Sequence, residues 1–201
     1  IDTAGPVSIE VNSFAGNITI IADDDAHSTT IEVTQRDEGY NETTLDPKVS
    51  WDAWKESGDL GQVVKVNAVA IEDPLQTLHA DILIRSKSIH GVQVVTSRGD
   101  VKAYGISGSI DIRTSDGEAR VATPLVINER VSIENIRGDI VMRIRGESSG
   151  TIDATALNGS ASMNVRHGDA VILPKSSSDR VMAQLNNGAN EFMFRTVDGD
   201  I

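Results

Sequence analysis

The densest cluster of potential ligand atoms in the sequence is the acidic run Asp23-Asp24-Asp25, closely followed by His27. Adjacent carboxylates suit a hard cation such as Ca²⁺, so Asp23, Asp25 and His27 are candidate metal ligands. The same residue types are common in solvated turns, and the spacing of an EF-hand loop is missing. We therefore expect a turn at this position, and we expect neither a metal nor another cofactor.

Other residue types that catalyse reactions are present without the spacing that catalysis needs. The four His residues are far apart, and no H-x-x-x-H or H-x-H pattern of a zinc site occurs. The chain has no Cys, which excludes disulfides, thiol catalysis and cysteine metal sites. It also lacks a P-loop. The sequence therefore favours a protein that is not an enzyme.

Charged side chains are frequent between residues 98 and 145, where acids and bases alternate. An enzyme acting on acidic polysaccharides could use such a face, with a carboxylate pair roughly 5–10 Å apart. The other interpretation is a set of solvent-facing charges that offset one another. The candidate interaction face consists of eight residues, namely Lys102, Asp111, Arg113, Arg120, Arg143, Arg145, Trp51 and Trp54.

A short repeat, clearest from Val94 to Val121, must position these side chains. A Gly, a polar residue and an alternating apolar pair recur in Gly99–Ala103, Gly108–Ile112 and Gly117–Val121. The pattern predicts strands whose two apolar residues point inward while the residue between them points outward. Gly suits the bend, and the Asp, Asn or Ser beside it can hold the corner through a hydrogen bond to its own backbone.

The spacing of the repeat predicts the fold. The successive steps from Gly99 to Gly117, from Gly117 to Gly138 and from Gly138 to Gly159 are 18, 21 and 21 residues long. Two units therefore make one turn. We expect an all-β, single-stranded β-solenoid (β-helix-like) that has coils of these lengths and a mostly parallel ladder, formed by residues 1–201 as one domain. Because the last unit, Gly199-Asp200-Ile201, is incomplete, we expect the C-terminus to be truncated within a repeat.

Residues 36–62 lack the repeat unit and contain both Trp residues. Asp46-Pro47 and Gly58 would suit the ends of a helix, whereas residues 48–54 alternate at period two. We expect an irregular hairpin insertion, with a helix over 46–58 as the open alternative. Trp51 and Trp54 either form a ligand platform or cover an open end of the core.

The T-S-x-G-D-V and N-x-x-G-D-I units, the early G-N-I-T-I strand and the segment Val171-Ile172-Leu173-Pro174 resemble the putative-adhesin family of bacterial domains of unknown function. The resemblance runs from about Val7 to Ile201. It departs from the family pattern at 122–130, where Pro124 interrupts the repeat and predicts an inserted loop or bulge. It implies a β-helix-like domain of exported or membrane-anchored bacterial proteins, without established catalytic residues.

These features together predict a non-catalytic β-solenoid outside the cytoplasm, secreted, periplasmic or anchored at the cell surface. It would serve as an adhesion or interaction module for a cell-surface or envelope protein or glycan. The formal net charge of −12 argues against nucleic acid as a partner. Two other functions stay open: a polysaccharide-active enzyme using the face at 98–145, and a self-assembling scaffold joined through the solenoid ends.

Overall fold

The fold consists of β-strands joined by turns and loops. It is seen in a computed structural model that describes residues 1–3, 5–37, 48–58, 61–71 and 77–201. Ten strands form the larger sheet, in the spatial order β14 (Ala170–Ile172), β15 (Arg180–Leu185), β13 (Gly150–Ala156), β16 (Glu191–Thr196), β11 (Val131–Arg137), β9 (Ile110–Asp116), β7 (Ile89–Thr96), β1 (Val7–Ser13), β5 (Gly61–Ala70) and β4 (Val49–Gly58). Six strands form the smaller sheet, in the order β12 (Ile140–Arg143), β10 (Ala119–Ala122), β8 (Val101–Tyr104), β2 (Ile18–Ala22), β6 (Leu78–Ser86) and β3 (Thr30–Asp37).

The prediction of an all-β fold is confirmed, and the core lies between the two sheets. Alternation along the strands turns Val and Ile inward, so that Ile9, Val94, Ile112 and Ile133 are fully buried. Within the described residues, no helix is long and apolar enough to cross a membrane.

The middle layers wind in the way that the repeat predicts. Strands β7, β9 and β11 are parallel neighbours in the larger sheet, and β8, β10 and β12 are parallel neighbours in the smaller one. Val101 pairs with Ala119, and Ala119 pairs with Ile140, which gives turns of 18 and 21 residues. The longer turn contains the loop between β10 and β11, which includes Pro124, as expected for residues 122–130.

Solenoid winding does not extend over the whole chain, because strands are inserted out of sequence order towards both ends. In the larger sheet β1 lies between β5 and β7, and in the smaller sheet β2 lies between β6 and β8. Strand β16 lies between β11 and β13. Strands β3, β4, β14 and β15 pair antiparallel with their neighbours. The architecture is therefore a pair of mixed sheets, not one regular coil.

The incomplete last unit lies inside the stack and not at a free end. The backbone N–H of Ile140 donates to Asp200 O, and the N–H of Ile201 donates to Ser160 O, both at 2.9 Å. The step from Gly138 to Gly159 is therefore not a single turn as predicted, because Gly199 occupies the layer between them.

A hairpin, and not a helix, forms in the region that contains the two Trp residues. Strand β4 pairs antiparallel with β5, from Val49 opposite Ala70 to Gly58 opposite Gly61. The helix considered for 46–58 is wrong over the described residues 48–58, because the period-two alternation there places Val49 against the core. The hairpin is also less of an insertion than predicted, since β5 pairs directly with β1. Residues 38–47 and 59–60 lie outside the described residues.

A column of glycines marks one corner of the stack. Gly16, Gly99 and Gly117 have φ values of +115°, +115° and +127°, in the region that favours glycine. A Cβ at Gly99 would also overlap the carbonyl of Gly16, and a Cβ at Gly117 would overlap that of Gly99. Glycine is thus required here for two reasons, the bend of the backbone and the close approach of the neighbouring layer.

At several corners the polar residue after the glycine binds the adjacent layer, and not its own backbone as predicted. Four such side chains accept a hydrogen bond from a backbone N–H at 2.8–3.0 Å, in the pairs Asp100 N to Asn17 Oδ1, Glu118 N to Asp100 Oδ1, Asp200 N to Asp139 Oδ1 and Ser160 N to Asp200 Oδ1. Asp81, which follows Ala80, accepts from Asn17 N in the same way at 2.8 Å. The N–H and hydroxyl of Ser160 hold the pKa of Asp200 below its usual value.

Substitution at this corner should be costly. We expect Gly117→Ala to lower the free energy of unfolding by about 3 kcal/mol or more, because the methyl group meets the Gly99 carbonyl at a positive φ. The matched control is Gly5→Ala, where φ is +88° and nothing lies within 4 Å of the added Cβ. That variant should lose only about 1 kcal/mol, for backbone strain alone. Urea denaturation measures both values, and equal losses would contradict the close-approach argument.

The carboxylate of Asp200 should make stability depend on pH. A carboxyl whose pKa is lowered in the folded state contributes stability above its unfolded pKa, and this stability is lost as the pH falls through the folded value. We expect Asp200→Asn to melt below the unmodified chain at pH 7 and to melt at the same temperature at pH 2. Asp24→Asn, in the exposed turn, controls for the change in net charge. A difference in melting temperature that is constant from pH 7 to pH 2 would refute the assignment.

Candidate interaction surface

The structure distributes the eight residues of the predicted interaction face over several surfaces. Lys102 and Arg120 are neighbours in register on the outer side of the smaller sheet. Asp111 and Arg113 lie on the outer side of the larger sheet. Arg143 is the last residue of β12, and Arg145 lies two residues further along the chain. Trp51 and Trp54 lie on β4. The structure therefore brings together two of the predicted pairs and does not form one continuous face.

Most of the predicted cations are paired with an acid two residues away on the same strand or loop. Arg113 Nη2 lies 3.0 Å from Asp111 Oδ2, and Lys102 Nζ lies 3.4 Å from Asp100 Oδ2. The two analogous pairs, each formed by both Nε and Nη2, are Arg120 with Glu118 and Arg145 with Glu147. The hydrogen bonds that Arg120 donates to the carboxylate of Glu118 raise the pKa of Arg120. This arrangement supports the interpretation that charges between 98 and 145 offset one another.

Trp51 and Trp54 lie on opposite faces of β4 and cannot form one platform. Trp51 is paired with the buried Ala68, so it points to the core side at the edge of the sheet and remains 46% exposed. Trp54 points to the outer side, where its Nε1–H donates to Glu56 Oε1 at 2.7 Å. This hydrogen bond, together with Lys65, lowers the pKa of Glu56. Trp51 is thus the residue placed to cover the edge of the core.

The acidic run is a turn in the structure. The backbone N–H of Asp25 donates to Asp23 Oδ1 at 3.1 Å, a hydrogen bond typical of an Asx turn. Among the residues that the structure describes, no group of three His, Cys, Asp or Glu residues is arranged to hold a metal ion. This hydrogen bond gives Asp23 and Asp25 a role in the turn, and His27 is an exposed residue just after it.

A groove of about 720 Å³ runs over the outer side of the larger sheet, within the size range of ligand sites. The pairing register, parallel over five strands and antiparallel at the sixth, aligns one outward side chain from each of six adjacent strands into a row across the sheet. In spatial order the row is Val95, Arg113, Glu134, Arg195, Thr155 and Arg180. We call it the charged row.

Apolar side chains border the charged row on the side towards the ends of the strands. Ile136 is 51% exposed, Val197 36% and Leu157 66%, and all three line the groove. We call these three residues the apolar row. Val95, at one end of the charged row, is also 39% exposed. Large apolar side chains that cluster at a surface are characteristic of binding sites, because a lone chain gains nothing from exposing them together.

The charges of the groove are only partly satisfied within the chain. Arg180 binds Asp153 through Nε and Nη2 at 3.0 and 2.8 Å, which raises the pKa of Arg180. Glu134 lies 3.6 Å from Arg113 Nε. Arg195 is exposed and takes part in none of the ion pairs formed by the described residues. Its guanidinium can therefore donate to a carboxylate or sulfate of a partner.

Reasoning from the sequence found Arg113 and missed the rest of the groove. Arg195 carries a recognisable local signal, since it lies between the buried Phe194 and Thr196 and must point outward. What the sequence lacks is the position of β16 between β11 and β13, which places Arg195 beside Glu134. Arg180 joins the row only because β15 pairs antiparallel with β13.

The geometry defines an all-β protein of two mixed, layered sheets with an open groove on the larger one. The chain belongs to the Toastrack DUF4097 family, a family of domains of unknown function. The family model matches residues 7–201. The chain is also similar in fold to the crystal structure of a putative cell adhesion protein from Clostridium sporogenes, with a TM-score of 0.70 and 12% sequence identity. That similarity covers 100% of this chain and 94% of the other. No curated protein matches the chain.

The apolar row should be dispensable for folding. We expect Leu157→Ser to change the free energy of unfolding by no more than about 0.5 kcal/mol, because the side chain is mostly in solvent. The control Ile112→Ser, in the fully buried core, should cost about 3 kcal/mol or more. Denaturant titration compares the two. A loss above about 2 kcal/mol for Leu157→Ser would show that the residue serves folding instead.

Proposed function

We propose that this protein is a non-catalytic adhesion or interaction module located outside the cytoplasm. Its binding surface is the groove on the larger sheet, and its partner is a protein or glycan of the cell surface or envelope. The observation that carries the proposal is the apolar row of Ile136, Val197 and Leu157 beside the free guanidinium of Arg195.

The groove has the composition of a recognition surface. An apolar strip supplies contact area, and the charged row supplies orientation, since guanidinium groups bind carboxylates with a defined geometry. The side chains are held on paired strands, so binding requires little ordering of the backbone. An elongated, partly apolar partner that carries acidic groups fits this arrangement.

The lining of the groove favours a protein over a glycan. Within the described residues, the side chains that line it include Val, Ile, Leu, Thr and Arg but no aromatic ring. Aromatic rings supply the large, flat contact surfaces of many recognition sites, so a sugar ring would have none to stack on here. We therefore place an acidic protein segment first and an acidic glycan second.

Two further features support the proposal without deciding it. We interpret the layers from β7 to β12 as a short single-stranded β-solenoid, a scaffold whose stacked strands present extended surfaces for binding. A solved structure of similar fold bears the name of a putative cell adhesion protein. Location outside the cytoplasm follows from the family resemblance in the sequence and is part of the proposal.

Binding to envelope material tests the proposed function. The immobilised protein is exposed to fractionated bacterial envelope proteins and to a glycan array, and bound partners are quantified. We expect Arg195→Glu to weaken binding at least tenfold, because it removes the free guanidinium and adds a carboxylate beside Glu134.

The matched control is Lys87→Glu, which makes the same change in net charge at an exposed position between β6 and β7. Its binding should stay within about twofold of the unmodified chain, since rim or distant charges contribute little. If neither variant differs from the unmodified chain, the groove is not the binding surface. If no envelope protein or glycan binds, the adhesion proposal fails.

A further inference from the structure

The charged row carries its cations at a regular spacing. Arg113, Arg195 and Arg180 lie on β9, β16 and β15, and one strand separates each of these strands from the next. Glu134 on β11 and Thr155 on β13 occupy the two positions between them. Because neighbouring strands in a sheet are about 4.8 Å apart, the Arg positions follow one another at about 9.6 Å and together span about 19 Å.

All three guanidinium groups line the groove and keep N–H donors for a ligand. Arg113 binds Asp111 through Nη2, and Arg180 binds Asp153 through Nε and Nη2. Within the described residues, Nη1 of Arg113 and of Arg180 forms no hydrogen bond, and Arg195 forms no ion pair. Since a guanidinium has more donors than one carboxylate uses, each of the three can bind a carboxylate of a partner.

The apolar row fixes the direction in which a ligand must lie. Each of its members, Ile136, Val197 and Leu157, follows a residue of the charged row by two positions on the same strand or directly after it. Both rows therefore cross the strands side by side. A ligand that uses both rows lies across the strands, with acidic groups along one flank and apolar groups along the other.

The spacing of the Arg positions selects the conformation of a peptide ligand. An extended strand repeats one face about every 6.6 Å, and an α-helix does so every seven residues, or about 10.5 Å. A polyproline II helix has about three residues per turn and rises about 3.1 Å per residue, so every third side chain recurs on one face at about 9.3 Å. Of these three conformations, polyproline II matches the spacing of about 9.6 Å most closely.

We propose that the groove binds an acidic polyproline II segment in which every third residue carries a carboxylate, one for each of Arg113, Arg195 and Arg180. This inference rests on the proposed function, because it names the ligand of the same groove. Glu134 lies between two of the Arg positions and repels a carboxylate placed there, so the row rejects more closely spaced acids. Pro suits the intervening positions, because it favours this conformation and offers apolar surface to the apolar row.

Two peptides of identical composition test the spacing. The regular peptide is Glu-Pro-Pro-Glu-Pro-Pro-Glu, and the clustered peptide is Pro-Pro-Glu-Glu-Glu-Pro-Pro. Fluorescence anisotropy at low salt measures the binding of each labelled peptide to the 201-residue chain. We expect the regular peptide to bind at least tenfold more tightly, because only its carboxylates reach all three guanidinium groups together.

Variants of the chain assign the binding to the charged row. Arg195→Gln should weaken binding of the regular peptide at least fivefold, whereas Lys87→Gln, the matched loss of one exposed cation outside the groove, should change it by less than twofold. Glu134→Gln should reduce the preference for the regular over the clustered peptide at least threefold, because the repulsion between Arg positions is removed. A general electrostatic effect of Glu134→Gln would strengthen both peptides equally and leave the preference unchanged.

The outcomes separate this inference from the proposed function. Equal affinities of the two peptides for the unmodified chain would overturn the inference. If neither peptide binds while envelope material still binds in a manner that depends on Arg195, the ligand is wrong and the proposed function stands. If the regular peptide binds as expected and no envelope protein or glycan does, the adhesion proposal fails and the ligand class stands. An acidic polysaccharide that binds through Arg195 more tightly than the regular peptide would also overturn the inference.

Discussion

The close approach of backbone layers at the glycine corner is the constraint on which this structure depends. Each layer turns where the carbonyl of the layer before it leaves no room for a Cβ, as at Gly99 and Gly117. The following polar side chain then accepts a hydrogen bond from the adjacent layer, as Asp100 does from Glu118. Together these contacts set the register, and the register aligns the inward Val and Ile residues into one core.

The same register orders the outer surfaces. Side chains that share a position in successive layers fall into rows, and acids and bases two residues apart on one strand form ion pairs, as Asp111 and Arg113 do. Exposed pairs of this kind contribute little to stability. The apolar row and Arg195 are among the features of the larger sheet whose exposure these pairs do not explain.

The position of β16 affects both faces of the larger sheet. On the outer face it brings Arg195 into the charged row between Glu134 and Thr155. On the inner face it adds Phe192 and Phe194 to the core. A single strand inserted out of order thus forms part of the groove with its outer face and part of the core with its inner face.

The sequence by itself determined the local features of this protein. The alternation of apolar residues predicted most strands, the G-polar-φ-x-φ units predicted the corners, and the glycine spacing predicted the turns of 18 and 21 residues in the middle layers. Only the tertiary structure decided the order of the layers, the direction of the outer strands and therefore the groove. The physical reason is that the corner units are nearly equivalent. Gly199-Asp200-Ile201 therefore packs against Gly138-Asp139-Ile140, although the two units are far apart in the chain. Local pattern specifies how a layer is built, whereas the packing of all layers against one core selects which layers are neighbours.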